Sequence, residues 1–117
     1  MLNANTFGLM TGVVVDTQDP AGWHRVKVRV PQIHGTFDES FYSHVGNNVK
    51  KVSRIEDKYL PWAQVCYPFG QEFTPEINQV VLVGFINGST DQPVVLGWMG
   101  YEYNPREERL VVRHMNW

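Results

Sequence analysis

Three histidines at even intervals, His24, His34 and His44, are the residues of this chain that most invite chemistry. Imidazoles could hold a metal ion. Yet a ten-residue spacing sets each on a separate element and lacks the short-range pairing of familiar zinc sites. The carboxylates Glu39, Glu56, Asp57, Glu72 and Glu76 fall in connecting segments, where a solvated charge is the ordinary case. Cys66 is the one cysteine, which excludes an internal disulfide and a multi-cysteine zinc site. In the context Ala63-Gln64-Val65-Cys66-Tyr67 it reads as a small buried hydrophobe. No Gly-x-Ser-x-Gly elbow, phosphate loop or cysteine–histidine arrangement occurs. The residues supply no catalytic, metal or cofactor site, and the chain reads as a non-enzyme.

Basic and aromatic residues make a different case. In Arg25-Val26-Lys27-Val28-Arg29-Val30, charged residues and valines alternate, so the three cations fall on one face of a strand. The expectation is a half-buried strand with a basic outer face. Trp23, Trp62 and Trp98 could stack the bases of a single-stranded nucleic acid beside it. The overall charge opposes this: 12 acidic residues against 10 basic ones give a formal net charge of −2 and a pI near 6.0. Such a balance supplies few phosphate contacts, and binding to a polyanion draws on several. Exposed aromatics such as Tyr101, Tyr103 and Trp117 would also suit a sugar or a subunit interface.

The elements that must position these residues read as all-β. A chain of 117 residues with 43% hydrophobic and 19% charged residues is one globular domain, 1–117, with a core at about 8–98 and an extension at 99–117, and its short strands argue for a small barrel or a sandwich. Strands are expected at Gly12–Asp16, Arg25–Val30, Leu60–Tyr67, Gln79–Ile86 and Pro93–Trp98. Asp16 to Pro20 makes the first turn, and Asn87-Gly88 gives hairpin chemistry between the last two strands. The core valines are expected to be Val13, Val15, Val26, Val28, Val30, Val81, Val83 and Val95, together with Phe85. Both faces of Gln79–Ile86 are apolar, so something beyond the barrel core must cover Val80, Leu82 and Ile86.

Two stretches exceed a minimal barrel. Gln32 to Tyr59 is far longer than the roughly 12–15 residues at which structureless connections become uncommon, and long connections are usually functional. Weak helical periodicity lies around Asn47 to Asp57. Tyr101 to Trp117 adds a polar connection at Asn104–Arg109 and a further strand at Leu110–Val112. No apolar run could span a bilayer, and the N-terminus lacks the pattern of a signal peptide.

Taken in order, Asp19-Pro20, Arg25 to Pro31, Leu60-Pro61-Trp62-Ala63, Gly70, Pro75, Val81-x-Val83-x-Phe85 and Pro93 to Gly97 resemble a known family. It is the oligonucleotide/oligosaccharide-binding (OB) domain of phage baseplate hub and spike proteins, shared with the valine-glycine-repeat spikes of type VI secretion and related contractile injection devices. The resemblance runs from about Gly12 to Gly97, and Leu60-Pro61-Trp62-Ala63 is its most specific piece. Asn78-Gln79 departs from the family's Gly-Asp pair, although Asn also tolerates positive φ. After Gly97 no lysozyme domain or repeating needle pattern follows, so those activities do not carry over.

The resemblance implies a five-stranded OB-type Greek-key barrel with a long inserted loop and a C-terminal extension. It implies a structural, non-enzymatic component of the tail tip: a homotrimer without a cofactor or membrane anchor, seated on a ring-shaped hub and matching it to a spike or tip protein. Such a protein would be assembled in the host cytoplasm and end in the virion. The alternative is a single-stranded nucleic-acid-binding OB protein. Partner contacts are expected from loops on the rigid scaffold, at Phe41, Tyr42, Tyr59, Tyr101, Tyr103 and Trp117. On this reading, removal of Gln32 to Tyr59 would spare folding and abolish assembly.

Overall fold

The computed structural model describes residues 8–35, 40–45 and 48–112. Eight strands and one short helix are present among them: β1 (Met10–Asp16), β2 (Val26–Arg29), α1 (Pro31–His34), β3 (Ser40–Val45), β4 (Asn48–Ser53), β5 (Trp62–Val65), β6 (Gln79–Phe85), β7 (Pro93–Asn104) and β8 (Arg109–Val112). Strands β1, β2, β5, β7 and β6 close into a ring. All its pairings are antiparallel except β5 with β7, which run parallel through Gln64 opposite Val94 and Val65 opposite Val95. One parallel seam in an otherwise antiparallel five-strand ring is consistent with the OB-type barrel that the family resemblance implies.

Side chains on the concave face fill the ring. Val14, Val26, Val28, Val30, Ala63, Val81, Val83, Phe85 and Val95 form one buried cluster, with Met10, Ile33 and Val65 packed against it. β1 contributes Val14 to this cluster; the expected Val13 is also buried, outside the cluster, whereas Val15 is only partly buried. Three successive valines carry no alternation, so which of them faces inward is set by register: Val14 lies opposite Val28. Gly12 lets β1 and β2 approach closely, because a Cβ there would sit 2.4 Å from Val28 Cγ1 and 3.0 Å from the Arg29 carbonyl oxygen.

Several elements differ from expectation. The stretch from Gln32 to Tyr59 is not an unstructured loop. It holds α1, the β3–β4 hairpin and a 3₁₀ turn at Asp57–Tyr59, and the suspected helical region contains strand β4. β7 runs on to Asn104, where it pairs with β8 in a second hairpin. Cys66 is exposed just past the end of β5, although its N–H still donates to the Val95 carbonyl of β7 at 2.8 Å. Of the residues expected on the outer face of the Gln79–Ile86 strand, Val80 is buried and Leu82 partly so, whereas Ile86 lies beyond β6 and is exposed, so the need for a cover is narrower than two apolar faces implied. The β6–β7 turn does use Asn87 and Gly88 with positive φ, and Asn78 likewise has φ +71°.

Strand directions give the barrel two ends. At one lie α1, the β3–β4 insertion, the entry to β5 and the β6–β7 turn. At the other lie the β1–β2 loop, the β5–β6 loop and the β7–β8 hairpin. We call these the insertion end and the hairpin end.

Gly12→Ala is expected to force β1 and β2 apart and to cost about 1–3 kcal/mol, as overpacking does. Urea unfolding followed by tryptophan fluorescence would show a lower midpoint, and an unchanged midpoint would mean the strands have slack.

Candidate functional site

Arg29 organises the insertion end. The alternation in β2 does direct Lys27 and Arg29 away from the core, but both are buried, Arg29 with 0% of its surface exposed. The expectation of a basic outer face is therefore wrong. The face is covered by α1 and by residues 54–60, which close over it. Arg29 Nη1 donates to the carbonyl oxygens of His34 at 2.8 Å and Gly35 at 3.2 Å. Nη2 donates to the Ile55 carbonyl and, at 2.6 Å, to Asp57 Oδ1. Nε has no partner among the described residues. Lys27 Nζ donates to the carbonyls of Asp57 at 3.3 Å and Lys58 at 3.0 Å, and stands 5.0 Å above the Trp62 ring.

The insertion is thus stitched to the barrel wall by carbonyls from both of its ends. The Ile55 N–H donates to the His34 carbonyl at 2.8 Å. Gly35 has φ +82°, and a Cβ there would meet the Arg54 Cα at 2.7 Å, so only glycine permits this crossing. His34 Nδ1 accepts the Val30 N–H at 3.0 Å. Burial, aided by the adjacent Arg29 charge, pushes the His34 pKa down to about 4. The imidazole is therefore neutral in the folded protein at neutral pH.

The hairpin end is built on Asp19. Its carboxylate, 2% exposed, accepts from the N–H groups of Ala21 at 2.9 Å and of Trp23 and Arg25 at 3.2 Å. It also accepts from Arg25 Nε at 2.9 Å and Nη2 at 3.0 Å. The Arg25 guanidinium holds the Asp19 carboxyl well below the usual carboxylate range against the opposing effect of burial, and backbone N–H groups reinforce it. The guanidinium also lies over two indoles, 5.6 Å from the Trp23 centroid and 5.8 Å from that of Trp62. Trp23 itself stays 69% exposed.

Between the β5–β6 loop and β7, an open cleft of about 350 Å³ is lined by Gln71, Glu72, Phe73, Leu96, Gly97 and Trp98. Phe73 meets Tyr67 and Trp98 edge to face at centroid distances of 5.8 and 5.6 Å. Between Tyr67 and Phe73, Phe69 is fully exposed at φ +55°, a left-handed conformation that costs a bulky residue free energy.

The expected contact residues divide between the two ends. Phe41 and Tyr42 lie on β3, and Tyr59, exposed with Lys58 Nζ 5.1 Å above its ring, ends the 3₁₀ turn of the insertion. Tyr101 and Tyr103 share one face of β7, opposite Val112 and Leu110 of β8. Trp117 lies outside the described residues. Sequence reasoning missed Phe69 as a display position and named Trp23 only as a base-stacking candidate. The signal for Trp23 was present in Asp19-Pro20-Ala21-Gly22, a turn that could only present the residue after it. Among the described residues, no group of three His, Cys, Asp or Glu side chains could hold a metal ion, and no helix is long and apolar enough to cross a membrane.

Residues 44–99 match the model of the type VI secretion system/phage-baseplate injector OB domain, the same family that the motifs resemble. The match takes in β4 to the middle of β7, including the parallel seam. It points to a structural, baseplate-related role. No curated protein matches the chain.

Arg29→Ala is expected to cost about 3–5 kcal/mol, because it strands the carbonyls and carboxylate that the guanidinium now satisfies. Asp57→Asn should cost far less, since its carboxylate is half exposed. Equal losses in urea unfolding would contradict this division of roles. A second expectation concerns acid. The unfolded chain binds a proton at His34 near pH 6.5, whereas the folded protein resists until about 4. Stability should therefore fall as pH drops from about 6.5 to 4, by on the order of 3 kcal/mol. His34→Gln should flatten that stretch of the profile, and an undiminished slope would reassign it.

Proposed function

We propose that this chain is a non-enzymatic adaptor of a phage tail tip, a homotrimeric OB collar that joins a symmetric hub ring to a spike or tip protein. The observation that carries the reading is the polarity of the barrel. A rigid closed ring bears one anchored extension at each end, and each extension carries aromatic residues suited to a protein contact. The family match over residues 44–99 supports the baseplate setting. In this arrangement the insertion end, with Phe41, Tyr42 and Tyr59, meets one partner. The hairpin end, with Tyr101 and Tyr103, meets the other. Localisation follows: assembly in the host cytoplasm and a final place in the virion tail.

The alternative, single-stranded nucleic acid on the β2–β5 face, has one feature in its favour. Trp23, Arg25, Trp62 and Lys27 alternate there as stacked rings and cations, on the face by which OB folds bind oligonucleotides. The cations, however, are already committed. Arg25 is neutralised by Asp19, Arg29 by Asp57, and Lys27 is held by two carbonyls. None is left to neutralise phosphates.

Excising residues 40–53 with a short linker is the direct test. The wider cut from Gln32 to Tyr59 would expose Arg29 and confound folding with assembly. The shorter variant should keep the barrel's cooperative unfolding and lose binding to the hub ring of its own tail. A variant that still binds the hub would refute the assignment of the insertion. Neither protein should shift a 30-mer of oligo-dT in gel mobility at moderate salt, and a salt-sensitive shift would favour the alternative.

A further inference from the structure

We propose that residues 113–117 continue β8 as an added strand along the open edge of β7 and seat the Trp117 indole in the Phe73–Leu96–Trp98 cleft of the same chain. The inference concerns the chain alone and is independent of the adaptor reading. Three observations lead to it.

The first is a gap in the sheet. β6 lines one edge of β7 from Pro93 to Glu102, so β5 and β8 share the other. β5 ends its pairing at Val65 opposite Val95, with a last bond from the Cys66 N–H to the Val95 carbonyl at 2.8 Å. The pairing with β8 reaches down only to Tyr101. Between them, over residues 96–100, no described strand pairs with that edge. An edge left open in this way is a template for a further strand. There is room beside it, because a Cβ at Gly97 or Gly100 would meet nothing within 4 Å.

The second is register. β8 pairs with β7 without a shift, from Arg109 opposite Asn104 to Val112 opposite Tyr101, so the chain leaves Val112 antiparallel to β7 and heading into the gap. The same register, carried on, sets Arg113 opposite Gly100 and Met115 opposite Trp98, and brings Trp117 to the level of Leu96. At about 3.4 Å per residue, these five residues span roughly 17 Å, which matches the gap. Pairing of β7 with β6 on the other edge shifts register near both ends of this stretch, so β7 curves there and the added strand follows its edge.

The third is chemistry. The gap opens onto the cleft of about 350 Å³, whose apolar walls are Leu96 and Trp98, 37% and 42% exposed, with Phe73 edge to face on Trp98. In Arg113-His114-Met115-Asn116-Trp117, the two apolar residues fall beside Trp98 and Leu96, with a polar residue between them. A thioether beside one indole, and a second indole against leucine and phenylalanine, are favourable contacts that remove apolar surface from water on both sides. On this account Trp117, expected as a partner contact, serves the chain's own fold.

The experiment is nuclear magnetic resonance of the isotope-labelled full chain. Overhauser contacts should join the Trp117 ring to the Leu96 methyls and the Phe73 ring, and Met115 to Trp98. Their absence, or backbone contacts that place Met115 opposite another residue of β7, would overturn the proposal. In a mixture of labelled and unlabelled chains the contacts should arise within one molecule. Contacts found only between molecules would overturn it and assign the edge to a second copy. Trp117→Ala should speed exchange of the amides of residues 96–100 that face the open edge by about tenfold or more, and leave the Val14 amide unchanged. Exchange unaffected at both places would also overturn it.

Discussion

A guanidinium buried in the barrel wall is the constraint on which the rest of this structure depends. Arg29 projects outward from β2, where water would ordinarily solvate it, and is instead sealed beneath the chain that follows. A charge so placed is tolerated only if nearly every donor is matched. The carbonyls of His34, Gly35 and Ile55 and the Asp57 carboxylate do most of that matching. Each must therefore hold its position, and with them the short helix before the insertion and the turn after it. The neutral His34 ring belongs to the same set, since a second positive charge beside Arg29 would undo the arrangement.

The opposite end applies the same device to a different purpose. There Asp19 is the buried charge, and three backbone N–H groups together with Arg25 satisfy it. At the insertion end one cation gathers carbonyls and binds an excursion to the barrel. At the hairpin end one anion gathers N–H groups and stiffens a loop that holds an indole in water. Between them the five-strand ring, closed by the parallel pairing of β5 and β7, fixes the separation and direction of the two ends. That rigidity is what the proposed adaptor role would require, because it lets geometry at one face be transmitted to the other.

Much of this was legible in the residues. The strands of the ring, the Asn87-Gly88 turn, the positive φ at Asn78 and the strand at Leu110–Val112 follow from local rules and stand close to where those rules put them. The fate of Arg29 was not legible. Alternation reveals which way a side chain points from its strand, but not whether another segment will lie over it. The same limit applies to Cys66, whose apolar sequence neighbours did not reveal that its side chain is exposed at the end of β5. Val13, Val14 and Val15 offered no alternation to read, and long-range register chose among them. Trp23 was visible as an aromatic beside a turn, but its display depends on hydrogen bonds to Asp19 that spacing alone does not specify.

The most direct test of the central role of Arg29 is native-state hydrogen exchange of the unmodified protein. If Arg29 makes the insertion's base part of the barrel, the Ile55 and Gly35 amides should exchange only through global unfolding, with the same free energy as the amides of Val14 and Val83. Exchange of Ile55 and Gly35 at a free energy several kcal/mol below the barrel core would show that the segment opens independently. It would contradict the claim that one buried cation locks it in place.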